Sequence, residues 1–129
     1  MNDRETIDAA IAAWNEDGVD GFMEFMAPDV EWHAPPGFLE GEVFNSKAAL
    51  VPQMQEQFGS VFKNSRTELR DVVHGPHGWL VAAHQTSEYG ATQIEWLAWY
   101  VVQLDNGLLK RMWVFMDREP AVQQAGLDE

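Results

Sequence analysis

Cysteine is absent from the chain, which excludes a disulfide framework, a thiol nucleophile and a thiolate metal site together. Basic residues are few: eight Lys and Arg face 21 Asp and Glu, and the net charge is −13. A surface of that sign repels nucleic acid and anionic membrane, so neither is an expected partner. Long apolar runs are missing as well. Nothing approaches the ~20 residues of a membrane span, and the opening MNDRETIDAA is polar, without the apolar core of a signal peptide. The cytoplasm is the expected location. The four histidines form no His-x-His or His-x-x-x-His pair, so no metal site is expected. No Gly-rich phosphate loop precedes a helix and no Gly-x-Ser-x-Gly elbow occurs, which leaves nucleotide cofactors and serine hydrolase chemistry without support. No cofactor is expected.

What the chain does have is six Trp and six Met in 129 residues. Such side chains fill irregular interiors and line apolar pockets. The length suits a single domain over 1–129, large enough to bury roughly two-thirds of its unfolded surface.

Ile7, Ala10, Ile11 and Trp14 recur at helical spacing behind a capping-box pair, Asn2 and Glu5, and Gly18 is a natural stop. Val19, Phe22, Met23 and Met26 repeat the spacing, and Pro28 ends that second helix. Val30 to His33 reads as a short strand, and the Pro- and Gly-rich stretch Ala34 to Gly41 as a loop. Ser46 can cap a third helix carrying Leu50, Met54 and Phe58, in which Pro52 implies a bend or a late start. From Ser65 the pattern becomes extended: a strand through Val73 with room for a bulge, a turn at Gly75 to Gly78, strands Trp79–Glu88, Thr92–Leu104 and Leu108–Met116, and a short terminal helix Asp117–Ala125. Asn106-Gly107 is a strong hairpin signal. The expected class is α+β, with N-terminal helices on a strongly curved antiparallel or mixed sheet. The strands around Trp96 and Trp113 are apolar on both faces, so one face serves the helices and the other needs a cover. A second copy of the chain is the simplest cover, and a homodimer is expected.

The stretch AAWNEDGVDGFMEFMAPDVEWHAPPG resembles the opening of SnoaL-like proteins of the nuclear transport factor 2-like superfamily, and VVQLDNGLLKRMWVFMD resembles their closing hairpin. The resemblance covers nearly the whole chain. It implies a cone-shaped sheet with helices at its narrow side and a pocket at its mouth. It leaves the activity open, because the superfamily includes polyketide cyclases, ketosteroid isomerases, epoxide hydrolases, dehydratases and binders without activity.

Pockets of this type place one or two titratable groups in an apolar cavity, where their pKa values move. Alternation puts Trp96, Ala98, Tyr100 and Val102 on one face of their strand, and Arg111, Trp113, Phe115 and Asp117 on one face of the last strand. Similarity to the ketosteroid isomerase pattern turns Tyr100, Trp113 and Asp117 inward. Tyr100 then matches the acid of that enzyme's oxyanion hole, while its helix-borne tyrosine is replaced by Ala10. The general-base position has two registers, one giving His33 and the other Ala34. The Arg and Asp pair of the epoxide hydrolases is absent. The candidate catalytic residues are therefore His33, Asp117 and Tyr100; the candidate ligand-binding residues are Phe22, Trp32, Met54, Gln85, Trp96 and Trp113. His33 can equally be a structural hydrogen-bonder beside Glu31, and Asp117 a helix cap. His84 fits a dimer seam, and His74 and His77 a turn. Two functions stand: a cofactor-independent cyclase or isomerase acting on a hydrophobic carbonyl compound, or a hydrophobic ligand-binding module without turnover. In a third reading the cavity is filled by its own side chains and the chain is a structural dimer.

Overall fold

The computed structural model describes residues 2–34 and 43–127. Three helices, α1 (Asp3–Met23), α2 (Lys47–Glu56) and α3 (Arg118–Gln124), accompany six strands: β1 (Met26–His33), β2 (Val43–Phe44), β3 (Phe62–Gly75), β4 (Gly78–Tyr89), β5 (Thr92–Asp105) and β6 (Leu108–Phe115). The strands form one sheet in the order β2-β1-β6-β5-β4-β3, with β1 parallel to β6 and the other pairs antiparallel. The expected α+β arrangement of N-terminal helices on a mixed sheet is therefore present.

Helix α1 starts where the capping box places it. Asn2 accepts from the Glu5 N–H at 2.8 Å, and Glu5 accepts from the Asn2 N–H at 3.0 Å. Gly18 (φ 66°, ψ −140°) breaks α1 into two helical arms without ending it. No atom lies within 4 Å of where a Cβ would stand, so the backbone angle rather than crowding requires glycine. The second arm ends at Met23, and Met26 is the first residue of β1. The expectation that Met26 is helical and that Pro28 ends the helix is thus corrected. Pro28 lies in β1, exposed, where the pairing to β6 is irregular between Met26 and Glu31; a strand tolerates proline at such a point because no ladder N–H is required there. Helix α2 begins with the Ser46 side chain accepting from the Ala49 N–H at 3.1 Å and keeps Pro52 in its interior. It widens into a π-helical turn at Gln57–Val61, so Phe58 remains on a helical segment beyond α2 itself. The expected loop Ala34 to Gly41 lies, apart from Ala34, outside the described residues.

Both faces of the sheet are partly covered over β5 and β6. Its inner face meets α1 and α2 around Trp14, Phe22, Met26, Trp32, Leu50 and Met54. Its outer face carries Leu80 and Val101 under Ala121, Val122 and Ala125 of α3. Part of the cover assigned to a second copy is thus supplied by the terminal helix of the same chain.

The β5–β6 hairpin carries the decisive irregularity. Next to the Asn106-Gly107 turn, Asp105 pairs with Leu108 and Leu104 with Leu109; beyond it Gln103 pairs with Arg111, so Lys110 is an extra residue. A uniform hairpin would set Tyr100 opposite Trp113. The bulge sets Tyr100 opposite Val114 and Trp113 opposite Val101, and with side chains alternating at a period of two the whole outer half of β6 changes face.

Replacing Gly18 by Ala forces a Cβ into a backbone region that L-residues avoid. Gly18→Ala should cost ~1–3 kcal/mol of stability, read from the urea midpoint at unchanged slope.

Candidate ligand cavity

Between α1, α2 and the inner face of the sheet lies a cavity of about 70 Å³. A single water needs ~10–15 Å³ and a dry cavity of ~150 Å³ takes up benzene, so this space suits a short chain, or the polar end of a ring whose remainder extends toward the opening. One wall comes from α1, with Ile7, Ala10, Ile11 and Trp14. Rings stiffen that side: Trp14 meets Phe58 edge-on at 5.0 Å and Phe22 at 5.8 Å, and Phe22 meets Trp32 at 6.4 Å. The floor is sheet, with Val81 and Gln85 from β4, Trp96, Ala98, Tyr100 and Val102 from β5, and Met112 and Val114 from β6. Met116 also lines the space and is 42% exposed, which marks where it opens.

The helix wall is tied to the sheet by one side chain. The Asn15 amide donates to the Thr67 carbonyl at 2.9 Å and accepts from the Thr67 N–H at 2.8 Å. Thr67 pairs with Gln85 across β3 and β4, so the clamp fixes the helix against the strand that carries the cavity's amide. Gln85, 7% exposed, donates a hydrogen bond to the Tyr100 hydroxyl oxygen. Burial holds the Tyr100 phenol above the ordinary tyrosine range, and the hydrogen bond from Gln85 opposes that only in part. The hydroxyl is therefore protonated at neutral pH. The indole N–H groups of Trp14 and Trp32, two cavity-lining residues, are buried without a hydrogen-bond partner.

Of the residues singled out in the sequence, Phe22, Trp32, Met54, Gln85, Trp96 and Tyr100 surround this one cavity. His33, Asp117 and Trp113 do not. His33 alternates outward from Trp32, stacks on Trp113 (centroids 5.2 Å apart, planes at 13°) and meets Glu31 through Nε2 at 2.6 Å. Ala34 is the residue on the inner side, 8% exposed and packed in the core. Trp113 is on the outer face, packed against the cluster under α3, because the Lys110 bulge turned it there. Asp117 is the exposed residue before α3, and its side chain caps nothing. The inward placement of Trp113 and Asp117 is thus corrected. His84 is also on the outer face, 3.2 Å from Glu95, while His74 stacks on Trp79 beside the β3–β4 turn. Sequence reasoning missed Thr67, Met112, Val114 and Met116. Thr67 had no distinguishing signal, and the β6 residues were hidden by a strand that is apolar on both faces. Among the described residues no group of three His, Asp or Glu could hold a metal ion, and no helix is long and apolar enough to cross a membrane.

The SnoaL-like domain model matches residues 7–112, which take in nearly all of α1 and all but the end of the closing hairpin. The chain belongs to that family. Solved structures share the SnoaL-like fold over nearly its full length. An NTF2-like protein of unknown function from Burkholderia pseudomallei is 15% identical, with 97% of this chain and 98% of that one covered and a TM-score of 0.79. TerC, crystallised with polyporic acid, is 20% identical, with 95% of each chain covered and a TM-score of 0.75. AclR, a putative hydroxylase from Streptomyces galilaeus, is 16% identical, with 95% and 80% covered and a TM-score of 0.71. At these identities the likeness speaks for the fold. No curated protein matches the chain significantly.

The Glu31 carboxylate is held below the ordinary glutamate range, chiefly by the hydrogen bond from His33, with Arg111 at 3.4 Å adding to it. A group depressed in the folded state adds stability above its unfolded pKa and loses it as pH falls through the folded value. Glu31→Gln should therefore lower the melting temperature slightly at pH 6–7, and the gap to wild type should close as pH falls below the ordinary glutamate range. A gap that stays constant down to acid pH would remove this role from the pair.

Proposed function

We propose that this SnoaL-like domain binds a compact, hydrophobic, carbonyl-bearing small molecule in the inner cavity and holds it without chemical turnover. The observation that carries the reading is the composition of the wall: apolar side chains throughout, with Gln85 and Tyr100 as a hydrogen-bonded polar pair and Thr67 beside them. Few polar groups in a mostly apolar concavity are what orient a small ligand. Cyclase or isomerase chemistry asks for a second titratable group facing the first, and among the described lining residues Tyr100 alone is titratable. Ala10, where the isomerase pattern has a tyrosine, adds no donor. That TerC was crystallised with polyporic acid agrees with a fold that admits organic molecules.

One-ring aromatic ketones should bind and quench tryptophan fluorescence. Ala98→Leu, which puts a branched chain into the floor, should abolish binding. Trp113→Ala should leave ligand affinity within about twofold while costing about 2 kcal/mol of stability, less than the ~3–5 kcal/mol of a fully buried Trp. Saturable binding that survives Ala98→Leu but is lost in Trp113→Ala would place the ligand elsewhere.

A second copy of the chain remains the proposed partner. Leu97 is 49% exposed on the outer face beside Trp99, beyond the reach of the α3 cluster residues that cover Val101. Light scattering at micromolar concentration should give twice the chain mass, and Trp99→Glu should return it to one. A wild-type monomer under those conditions ends the proposal.

A further inference from the structure

Gln85 and Tyr100 are not cross-strand neighbours. Gln85 stands opposite Trp96, and Tyr100 opposite Val81. Between those two pairs stands a third, Ala83 opposite Ala98, each 1% exposed. Two methyl groups at that point leave the sheet low enough for the Tyr100 side chain to lean along β5 and meet the Gln85 amide. The sense of the contact matters. The Gln85 nitrogen donates and the Tyr100 oxygen accepts. A phenol oxygen engaged in this way retains its own O–H to give, and no described residue accepts that proton.

We infer that Gln85 is a positioning residue that fixes the hydrogen-bonding sense of the cavity: by donating to the Tyr100 oxygen it makes Tyr100 an obligate donor, so the cavity favours molecules with a bare acceptor oxygen, such as a ketone, aldehyde or quinone, over hydrocarbons of the same shape. This rests on the cavity being a ligand site, as proposed above. An acceptor placed there meets a neutral donor in apolar surroundings, where one hydrogen bond discriminates more than it does in water. A hydrocarbon in the same place leaves the phenol proton unpaired, and that omission is the source of the selectivity.

Acetophenone and α-methylstyrene differ by an oxygen against a methylene and otherwise share shape, so the ratio of their affinities isolates the acceptor. Taking each variant's ratio relative to wild type removes the difference in the hydration of the two probes. Equilibrium binding is followed by NMR on the folded, full-length chain, with circular dichroism confirming the fold of each variant. Tyr100→Phe should lower the acetophenone to α-methylstyrene ratio about five- to tenfold. Gln85→Leu and Gln85→Met should each lower it about threefold or more. A role in packing alone would lower both affinities together. Gln85→Glu should bring the ratio to the Tyr100→Phe level, because a carboxylate draws the phenol proton to itself. A ratio that falls in Tyr100→Phe but holds in all three Gln85 variants overturns the inference for Gln85. A ratio unmoved in every variant, with both probes bound, overturns the inference and leaves the ligand-binding reading standing. Binding of neither probe to wild type removes both.

Discussion

The extra residue in β6 is held by two contacts to the segment that runs into and along β1. The Leu109 N–H donates to the Phe25 carbonyl at 2.7 Å, and the Lys110 ammonium meets the Asp29 carboxylate. That carboxylate is kept below its ordinary range mainly by the hydrogen bond from Lys110. Because β1 is irregular over the same rows, between Met26 and Glu31, the two strands bend together and resume parallel pairing at Glu31 and Arg111. Everything downstream inherits the resulting parity. Met112 and Val114 close the cavity, while Trp113 goes to the other side with His33 and Glu31. A uniform β6 would have put an indole over Tyr100 and left a methionine facing α3.

A space left beside the core has a cost, because the side chains around it forgo packing contacts. The wall around it is correspondingly firm. Edge-to-face contacts run from Phe58 through Trp14 and Phe22 to Trp32, and the Asn15 clamp joins the helix to the sheet at two hydrogen bonds rather than one. Any occupant that fits recovers part of the forgone packing and stabilises the fold by mass action.

The α+β class, most of the order of elements and the inward face of β5 were legible because each rests on a local pattern. Capping at Asn2 and Ser46, alternation from Trp96 to Val102 and the Asn106-Gly107 turn needed no tertiary information. The bulge was not legible. It depends on Asp29 and Phe25, more than 80 residues before Lys110 in the sequence, and nothing in LLKRMWVF breaks the alternation. The same cause explains the misplaced Asp117, which was assigned its face together with Trp113; His33 came instead from one of the two registers that the resemblance left open. The merger of two expected helices at Gly18 had a different origin. Glycine signals a left-handed φ, and such a residue can end a helix or merely bend its path; the sequence does not say which.

The Ala83–Ala98 pair bears on how a domain of this kind can diverge. The depth of the cavity is set by Ala98 on the floor, with Ala83 opposite it on β4, and its polarity by two others on separate strands. Neither set takes part in the Asn15 clamp, the Lys110 bulge or the packing of α3. A lineage could therefore exchange one methyl for a hydroxyl or an isopropyl group, or one amide for another polar group, and change what the protein holds while the scaffold stays as it is. Adaptation to new ligands would then proceed by single replacements at a few positions, each tolerated by an architecture whose stability is decided elsewhere.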